Sequence, residues 1–175
     1  MKTLALTLLF TLSLGLGFSA PSHAERADRD APTKVDSDRL DHDDQRLVTV
    51  FTGRVTLTKG TLKITGDRME LQQLPNGESL AVVTGKPAKF HQKREGVNEW
   101  MFGESTRIDY DSRTEIAIFT GQADMRRLAG EKLMDHVSGD HLTYNNVDET
   151  YKVTVVPGQS RARMTLMPRE STTKK

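Results

Sequence analysis

The sequence predicts an all-β protein built as a solenoid-like stack of antiparallel V-shaped strand pairs, and three observations predict it. Apolar and polar residues alternate with the two-residue period of strands. Turn signals interrupt the alternation about every 8–12 residues. Four segments repeat one design: a short strand opening on a polar residue, a turn, a second strand and then a glycine.

The first copy runs Ser37-Asp38-Arg39-Leu40-Asp41-His42, turns at Asp43-Asp44-Gln45 and continues from Val48 through Gly53 to Leu57. The second opens at Gly66-Asp67-Arg68-Met69-Glu70-Leu71, turns at Asn76-Gly77 and runs from Ala81 through Gly85 to Phe90. The third opens at Ser105-Thr106-Arg107-Ile108-Asp109-Tyr110, turns at Asp111-Ser112-Arg113 and runs from Ile116 through Gly121 to Met125. The fourth opens at Gly139-Asp140-His141-Leu142-Thr143-Tyr144, turns at Asn145-Asn146 and runs from Tyr151 through Gly158 to Met164. Gly53, Gly85, Gly121 and Gly158 keep spacings of 32, 36 and 37 residues. A glycine inside a strand marks a bulge or bend, where a sheet turns a corner. Shorter hairpin signals at Lys59-Gly60, Glu95-Gly96 and Ala129-Gly130 join the copies, so Arg126 to Val137 reads as a hairpin although it also fits an amphipathic helix.

Alternation assigns the faces. Met69 and Leu71, Ile108 and Tyr110, and Leu142 and Tyr144 are each two apart and project from one side of a strand. Past the glycines the same holds for Val55 with Leu57, Ala88 with Phe90 and Ala123 with Met125. Arg68, Glu70, Arg107, Asp109, His141 and Thr143 fall on the water side. One V-shaped unit cannot bury its apolar side alone, so the copies stack around one long interior. Phe90, Phe102, Tyr110, Tyr144, Met69, Met125 and Trp100 are the large residues expected to fill it. Left open along one side, such an interior takes lipid tails, and methionine adapts to irregular ligands. The stack also leaves strand edges at both ends, and an unpaired edge is a template for another strand.

The ends and the charge balance bound the rest. Residues 1–24 read as a cleaved signal peptide: Lys2, an apolar run from Leu4 to Phe18, and Ser22-His23-Ala24 as a small-x-small cleavage site. A flexible segment follows at 25–33, the repeat domain spans 34–167, and 168–175 form a polar tail. Lys2 is the one charged residue in the leader, so the mature chain carries 24 basic and 24 acidic residues. That balance gives no pull towards nucleic acid or anionic lipid. Cysteine is absent, so an exported chain of this kind relies on packing and strand pairing, without disulfides. No second apolar stretch has spanning length, so the mature protein is expected to be soluble.

Catalytic and metal chemistry find little support. The acidic run from Asp36 to Asp44 lacks the sixth-position glycine and closing glutamate of a calcium loop, and Leu40 sits in phase with core residues. His42, His91, His136 and His141 have no ligand spacing. There is no Gly-x-Ser-x-Gly, phosphate loop or dinucleotide turn. Neither an enzyme nor a bound cofactor or metal is expected.

The runs Phe51-Thr52-Gly53-Arg54-Val55, Gly60-Thr61-Leu62-Lys63-Ile64, Gly85-Lys86-Pro87-Ala88-Lys89-Phe90, Phe119-Thr120-Gly121-Gln122-Ala123 and Gly139-Asp140-His141-Leu142-Thr143-Tyr144 resemble the OstA-like family in order and spacing. The resemblance covers about residues 33–166. It implies a twisted β-jellyroll with an apolar groove that holds the acyl chains of lipid A while the sugars stay in water. It further implies a periplasmic bridge for lipopolysaccharide. The N-terminal edge pairs with an inner-membrane-anchored OstA-like partner, the C-terminal edge pairs with the outer-membrane translocon, and copies associate head to tail. Carried over, the groove candidates are Val35, Phe90, Ile108 and Tyr110. Val55, Leu57, Met69, Leu71, Phe102, Met125, Leu142 and Tyr144 join them as neighbours. His42 stands where the third copy has Tyr110, so the first copy is expected to line its end differently. The alternative is a secreted jellyroll that binds or processes a glycan, which requires an exposed cluster of aromatics or carboxylates.

Overall fold

The computed structural model describes residues 27–158 and 160–168. The expected signal peptide, and the tail beyond residue 168, lie outside them. Ten antiparallel strands form one sheet: β1 Lys34–Asp36, β2 Arg39–Asp43, β3 Val48–Lys59, β4 Leu62–Gln73, β5 Ser79–Lys93, β6 Glu99–Asp111, β7 Ile116–Ala129, β8 Lys132–Asn145, β9 Thr150–Thr154 and β10 Arg163–Leu166. From β3 to β8 each strand pairs with the next in sequence, as the hairpin signals predict. Arg126 to Val137 is the β7–β8 hairpin. At the two ends the pattern splits. β1 and β2 both pair with β3, and β9 and β10 both pair with β8.

The long strands do not run straight. Every pairing from β3–β4 to β7–β8 slips near its middle, at Thr52/Val55, Thr65/Arg68, Thr84/Ala88, Glu104/Arg107 and Thr120/Ala123, and β7–β8 slips again at Arg127/Leu128. Each bulge bends its strand, so one half belongs to one wall of a V and the other half to the facing wall. The first wall holds β2, β9 and the strand segments joined by turns 44–47, 74–78, 112–115 and 146–149. The second holds β1, β10 and the segments joined by turns 60–61, 94–98 and 130–131. Gly53 and Gly121 make the bend at equivalent places in two copies. Both have φ of +80°, and the following Arg54 and Gln122 are also left-handed. A β-carbon on Gly53 would lie 2.4 Å from an Asp38 carboxylate oxygen, and one on Gly121 2.2 Å from Thr106 Oγ1. Polar residues at the same point of the repeat satisfy the bent backbone: Thr106 Oγ1 donates to the Thr120 carbonyl at 2.9 Å, and Asp140 accepts the Val156 amide at 2.7 Å.

The expected fourth copy departs from the pattern. Its strand is cut at the bend into β9 and β10, and Gly158 sits in the connection with open space around it. The first copy is cut likewise, into β1 and β2, with Asp38 at the break taking the Arg54 guanidinium. The terminal strands are thus single-wall pieces, and β2 is exposed along its whole length. Leu40, expected in phase with the core, is 55% exposed. It pairs with Phe51 on a strip that has no facing wall to cover it.

Between the walls lies one apolar core. Phe51, Leu62, Ile64, Val83, Met101, Phe119 and Val137 are buried there beside most of the groove candidates. Phe90 on the second wall meets Phe119 and Tyr144 on the first edge to face, at ring separations of 5.5 and 6.1 Å. Such contacts add about 0.5–1.5 kcal/mol each beyond the area they bury. Opposite Phe119 the second wall carries Gly103, where a β-carbon would lie 2.5 Å from the ring.

That close approach sets the phase of β6 before its bend. Met101, Gly103 and Ser105 point inward, so Trp100 and Phe102 point outward. This corrects the expectation that both fill the interior. They stack instead on His91 of β5, with ring centroids 4.4 and 4.6 Å away. Burial, with the positive charge of Lys63, pulls His91 below the usual imidazole range.

Two outcomes follow. Gly103→Ala should lower unfolding free energy by about 1–3 kcal/mol through overpacking against Phe119, read from the urea midpoint at constant m. Because the folded chain holds His91 below the unfolded value near 6.5, the unfolded state takes up the proton first. Its contribution to stability is complete above about pH 6.5 and is lost as pH falls through the folded-state pKa. His91→Phe should therefore flatten the acid-side decline of stability, and an unchanged slope would show that the stacked imidazole does not set it.

Candidate functional site

The candidate site is the interior itself and the mouth where the two rows of turns face each other. Val55, Leu57, Met69, Leu71, Phe90, Ile108, Tyr110, Met125, Leu142 and Tyr144 all lie buried in it. Val35 is half-buried and packs against the same cluster from β1. Phe102 alone among the candidates lies on the outer face. The side chains fill the space between the walls, so the apolar track is continuous and closed along most of its length.

His42, expected to mark a different lining at the first copy, bonds Thr49 through Nδ1 at 2.9 Å. Behind the walls exposed side chains form short ion pairs along single strands: Arg39 with Asp41 and, among the expected water-facing residues, Arg68 with Glu70 and Arg107 with Asp109. Exposed pairs of this kind contribute about 0–1 kcal/mol each. They keep the backs of the walls polar.

Both tyrosines of the track sit at the mouth. Burial, with the Glu115 carboxylate nearby, pushes the Tyr110 phenol well up, and burial with Glu149 does the same for Tyr144. Tyr144 Oη donates to Asn146 Oδ1 at 3.2 Å. Both phenols therefore stay neutral across ordinary pH and suit an apolar surround with one wet end.

Polar groups cross the mouth above them. Asp28, in the short helix Ala27–Asp30, accepts the Thr61 amide at 2.6 Å and the Thr61 hydroxyl. Arg29 pairs with Glu115 at 2.8 Å. Lys59 Nζ donates to the carbonyls of Arg29 and Ala31. Part of the segment expected to be flexible is thus tied to both rows of turns. Further along, Arg94 bridges Glu99 on its own wall and Glu149 on the other. Turn residues have no periodic face, so Asp28, Arg29, Arg94, Glu115 and Glu149 carry no signal in the sequence, whereas Lys59 and Thr61 flank the hairpin glycine Gly60.

At the C-terminal end the interior opens into a cavity of about 240 Å³ between β9 and β10. Tyr144, Met101, Tyr151, Met164 and Leu166 line it, and Arg94 and Arg127 reach it from the rim. Arg127 pairs with Asp135 and, at 3.3 Å, with Glu99, which leaves its Nε buried without a partner. Met164 and Leu166 are 51% and 66% exposed. The outer backbone edges of β1, β2, β9 and β10 pair with no other strand among the described residues. No described helix is long and apolar enough to cross a membrane.

Comparison with known proteins agrees with this architecture. Residues 34–150 match the family model described as LptA/(LptD N-terminal domain) LPS transport protein. The lipopolysaccharide export system protein LptA of Escherichia coli K12 is 32% identical over 144 residues, which cover 81% of this chain and 74% of that protein. LptH of Pseudomonas aeruginosa, also named a lipopolysaccharide export system protein, is 41% identical over 90 residues, half of each chain. A crystal structure of P. aeruginosa LptH, titled as the LptA-homologous periplasmic component of the lipopolysaccharide transport device, superposes with a TM-score of 0.72 at 25% identity. It covers 81% of this chain and 99% of that one. On its matched residues, its bent single sheet and its apolar interior, the chain belongs to the LptA/LptD N-terminal domain family, the OstA-like fold that its repeats resemble.

Proposed function

We propose that this chain is a non-enzymatic carrier that moves lipopolysaccharide through the periplasm towards the outer membrane. Its interior shelters lipid A acyl chains while the sugars stay in water. One observation carries the reading: a single apolar cluster runs from Val35 on β1 to Tyr151 and Val153 on β9, the cavity that Met164 and Leu166 line adjoins it, and the outer edges of the terminal strands are unpaired among the described residues. The names of its relatives support the cargo. Each buried methylene contributes about 0.8 kcal/mol, so partial insertion of a few chains outweighs any sugar contact.

The edges fit a relay. An OstA-like partner anchored in the inner membrane would add its strands to β1 and β2, the translocon's domain to β9 and β10, and further copies would join head to tail in between. That the matched family takes in the N-terminal domain of LptD supports an edge-to-edge joint between domains of one fold. Leu40 at one end, with Met164 and Leu166 at the other, supplies apolar surface for such joints.

The glycan-binding alternative asks for an exposed aromatic cluster, and Trp100, His91 and Phe102 do gather on the outer face. Trp100 and Phe102 each already press one ring face on His91, which leaves little flat surface for a sugar.

Photo-crosslinking tests the track. A photoreactive residue at Ile108 or Phe90 should form adducts with rough-type lipopolysaccharide, and one at Arg107 on the outer face should not. Equal labelling at all three positions, or recovery of deacylated lipid, would overturn the carrier reading. For assembly, light scattering should show mass rising with concentration. Leu166→Glu should hold the chain monomeric while changing stability by no more than about 0.5 kcal/mol, as for other exposed positions.

A further inference from the structure

Up to the cavity at β9 and β10 the interior of this protein is closed, and what closes it at the mouth is polar. The long strands run through both walls and join them at the bends, but across the mouth the contacts are made by side chains. They fall into two groups, each lying above a tyrosine. The first is the segment around Asp28 and Arg29. Asp28 binds Thr61 in the turn between β3 and β4 on the second wall, and Gln92 Nε2 approaches it at 3.4 Å. Arg29 reaches across to Glu115 in the turn between β6 and β7 on the first wall. Glu115 is held in turn by Asn146 Nδ2 at 2.9 Å, from the next turn of that wall. Asp28, Arg29 and Glu115 all act electrostatically on Tyr110 below. The second group is Arg94 with Glu149, whose charges act on Tyr144.

We propose that residues 28–31 form a strap which, with the Arg94–Glu149 latch, shuts the mouth of the track, and that acyl chains enter when strap and latch release. The inference rests on the carrier reading above and adds the gate to it. The turns are built to receive the strap. Gly60, at φ +58°, is the residue Asp28 packs on. A β-carbon there would lie 2.0 Å from Asp28 Oδ1 and 2.8 Å from its backbone Cα. Gly130 occupies the equivalent turn between β7 and β8 with φ of +60°, and it has nothing within 4 Å of its β-carbon position. Of two like turns, only the one beneath the strap needs glycine for space as well as for conformation.

The groups involved suit a gate. The side chains of the latch and of the Arg29–Glu115 pair are between 14% and 46% exposed. Separating these partly exposed pairs returns four charged groups to water and recovers hydration lost on burial, whereas parting the packing beneath them exposes apolar surface. Opening frees Tyr110 and Tyr144 at the rim, where a phenol can face both acyl chain and water.

The chain has no cysteine, so an engineered pair is unambiguous. In the Asp28→Cys/Thr61→Cys variant, the oxidised form should take up fluorescent rough-type lipopolysaccharide about tenfold or more slowly than the reduced form. Binding that waits on a conformational change is slowed by whatever holds the closed state. Gly60→Ala should speed uptake several-fold relative to Gly130→Ala, which carries the same turn strain without the collision. In the unmodified chain, the Thr61 amide should lose hydrogen-exchange protection when lipopolysaccharide is added. Equal uptake in both redox states, or a Thr61 amide equally or better protected with lipid, would overturn the strap while leaving the carrier intact. Failure of the unmodified and reduced chains alike to take up lipid would overturn the carrier reading, and the gate with it.

Discussion

Everything in this fold depends on the bend at the middle of each long strand. A strand alternates its side chains, so an extra residue at a bend flips every later side chain unless the apolar pattern shifts with it. In β4, β5 and β6 the pattern does shift. In β4 the inward residues are Leu62 and Ile64 before the bend and Met69 and Leu71 after it, a shift from even to odd positions. β5 and β6 shift the opposite way, from odd to even positions, between Val83 and Ala88 and between Ser105 and Ile108. In β3 and β7 a glycine and the next residue, both left-handed, carry the inward face from Phe51 to Val55 and from Phe119 to Ala123. Remove the slip from β4, β5 or β6 and half of that strand turns its apolar residues to water.

The bends were legible because they recur. Four glycines at near-equal spacing, each inside an alternating run, point to one bend made four times. They placed Val55, Leu57, Met69, Leu71, Phe90, Ile108, Tyr110, Met125, Leu142 and Tyr144 on the inner face, as found. Phe102 and Trp100 were misplaced because size stood in for phase. The inward residue of that stretch is Gly103, small because Phe119 fills the space from the opposite wall, and no local pattern announces a contact across the V. Leu40 misled for the converse reason. Its alternation is correct, but at the end of a stack the facing wall is missing. Gly158 keeps the spacing of the repeat while the strand around it is broken, since the terminal copy has no next strand to continue the bend.

The mouth was illegible for a different reason. Arg29, Glu115, Arg94 and Glu149 sit in turns or near a chain end, where charge is common and phase is absent. Only the folded arrangement brings these four into pairs across the gap. Asp28 and Gly60 lie 32 residues apart in sequence, and nothing marks one as the neighbour of the other until the V is assembled.

A closed core and the cavity that the proposed carrier needs make opposite demands, and the distribution of forces in this molecule reconciles them. The bends are held by continuous strand pairing and by glycines that accept no side chain, so the closed side of the V resists separation. The inner face is held by apolar contact, which is non-directional: a lipid chain can replace a facing side chain with little change in the area kept from water. Met69, Met101 and Met125 lie along that face and adapt readily to a new neighbour. The mouth is held by partly exposed ion pairs whose charges regain hydration when they part. Widening the V at its mouth therefore exchanges polar contacts for water and one set of apolar contacts for another, whereas at the bend each long strand is continuous and keeps the walls joined. In the proposed carrier that exchange would begin at the cavity between β9 and β10, which Tyr151, Met164 and Leu166 line beside Arg94 and Arg127.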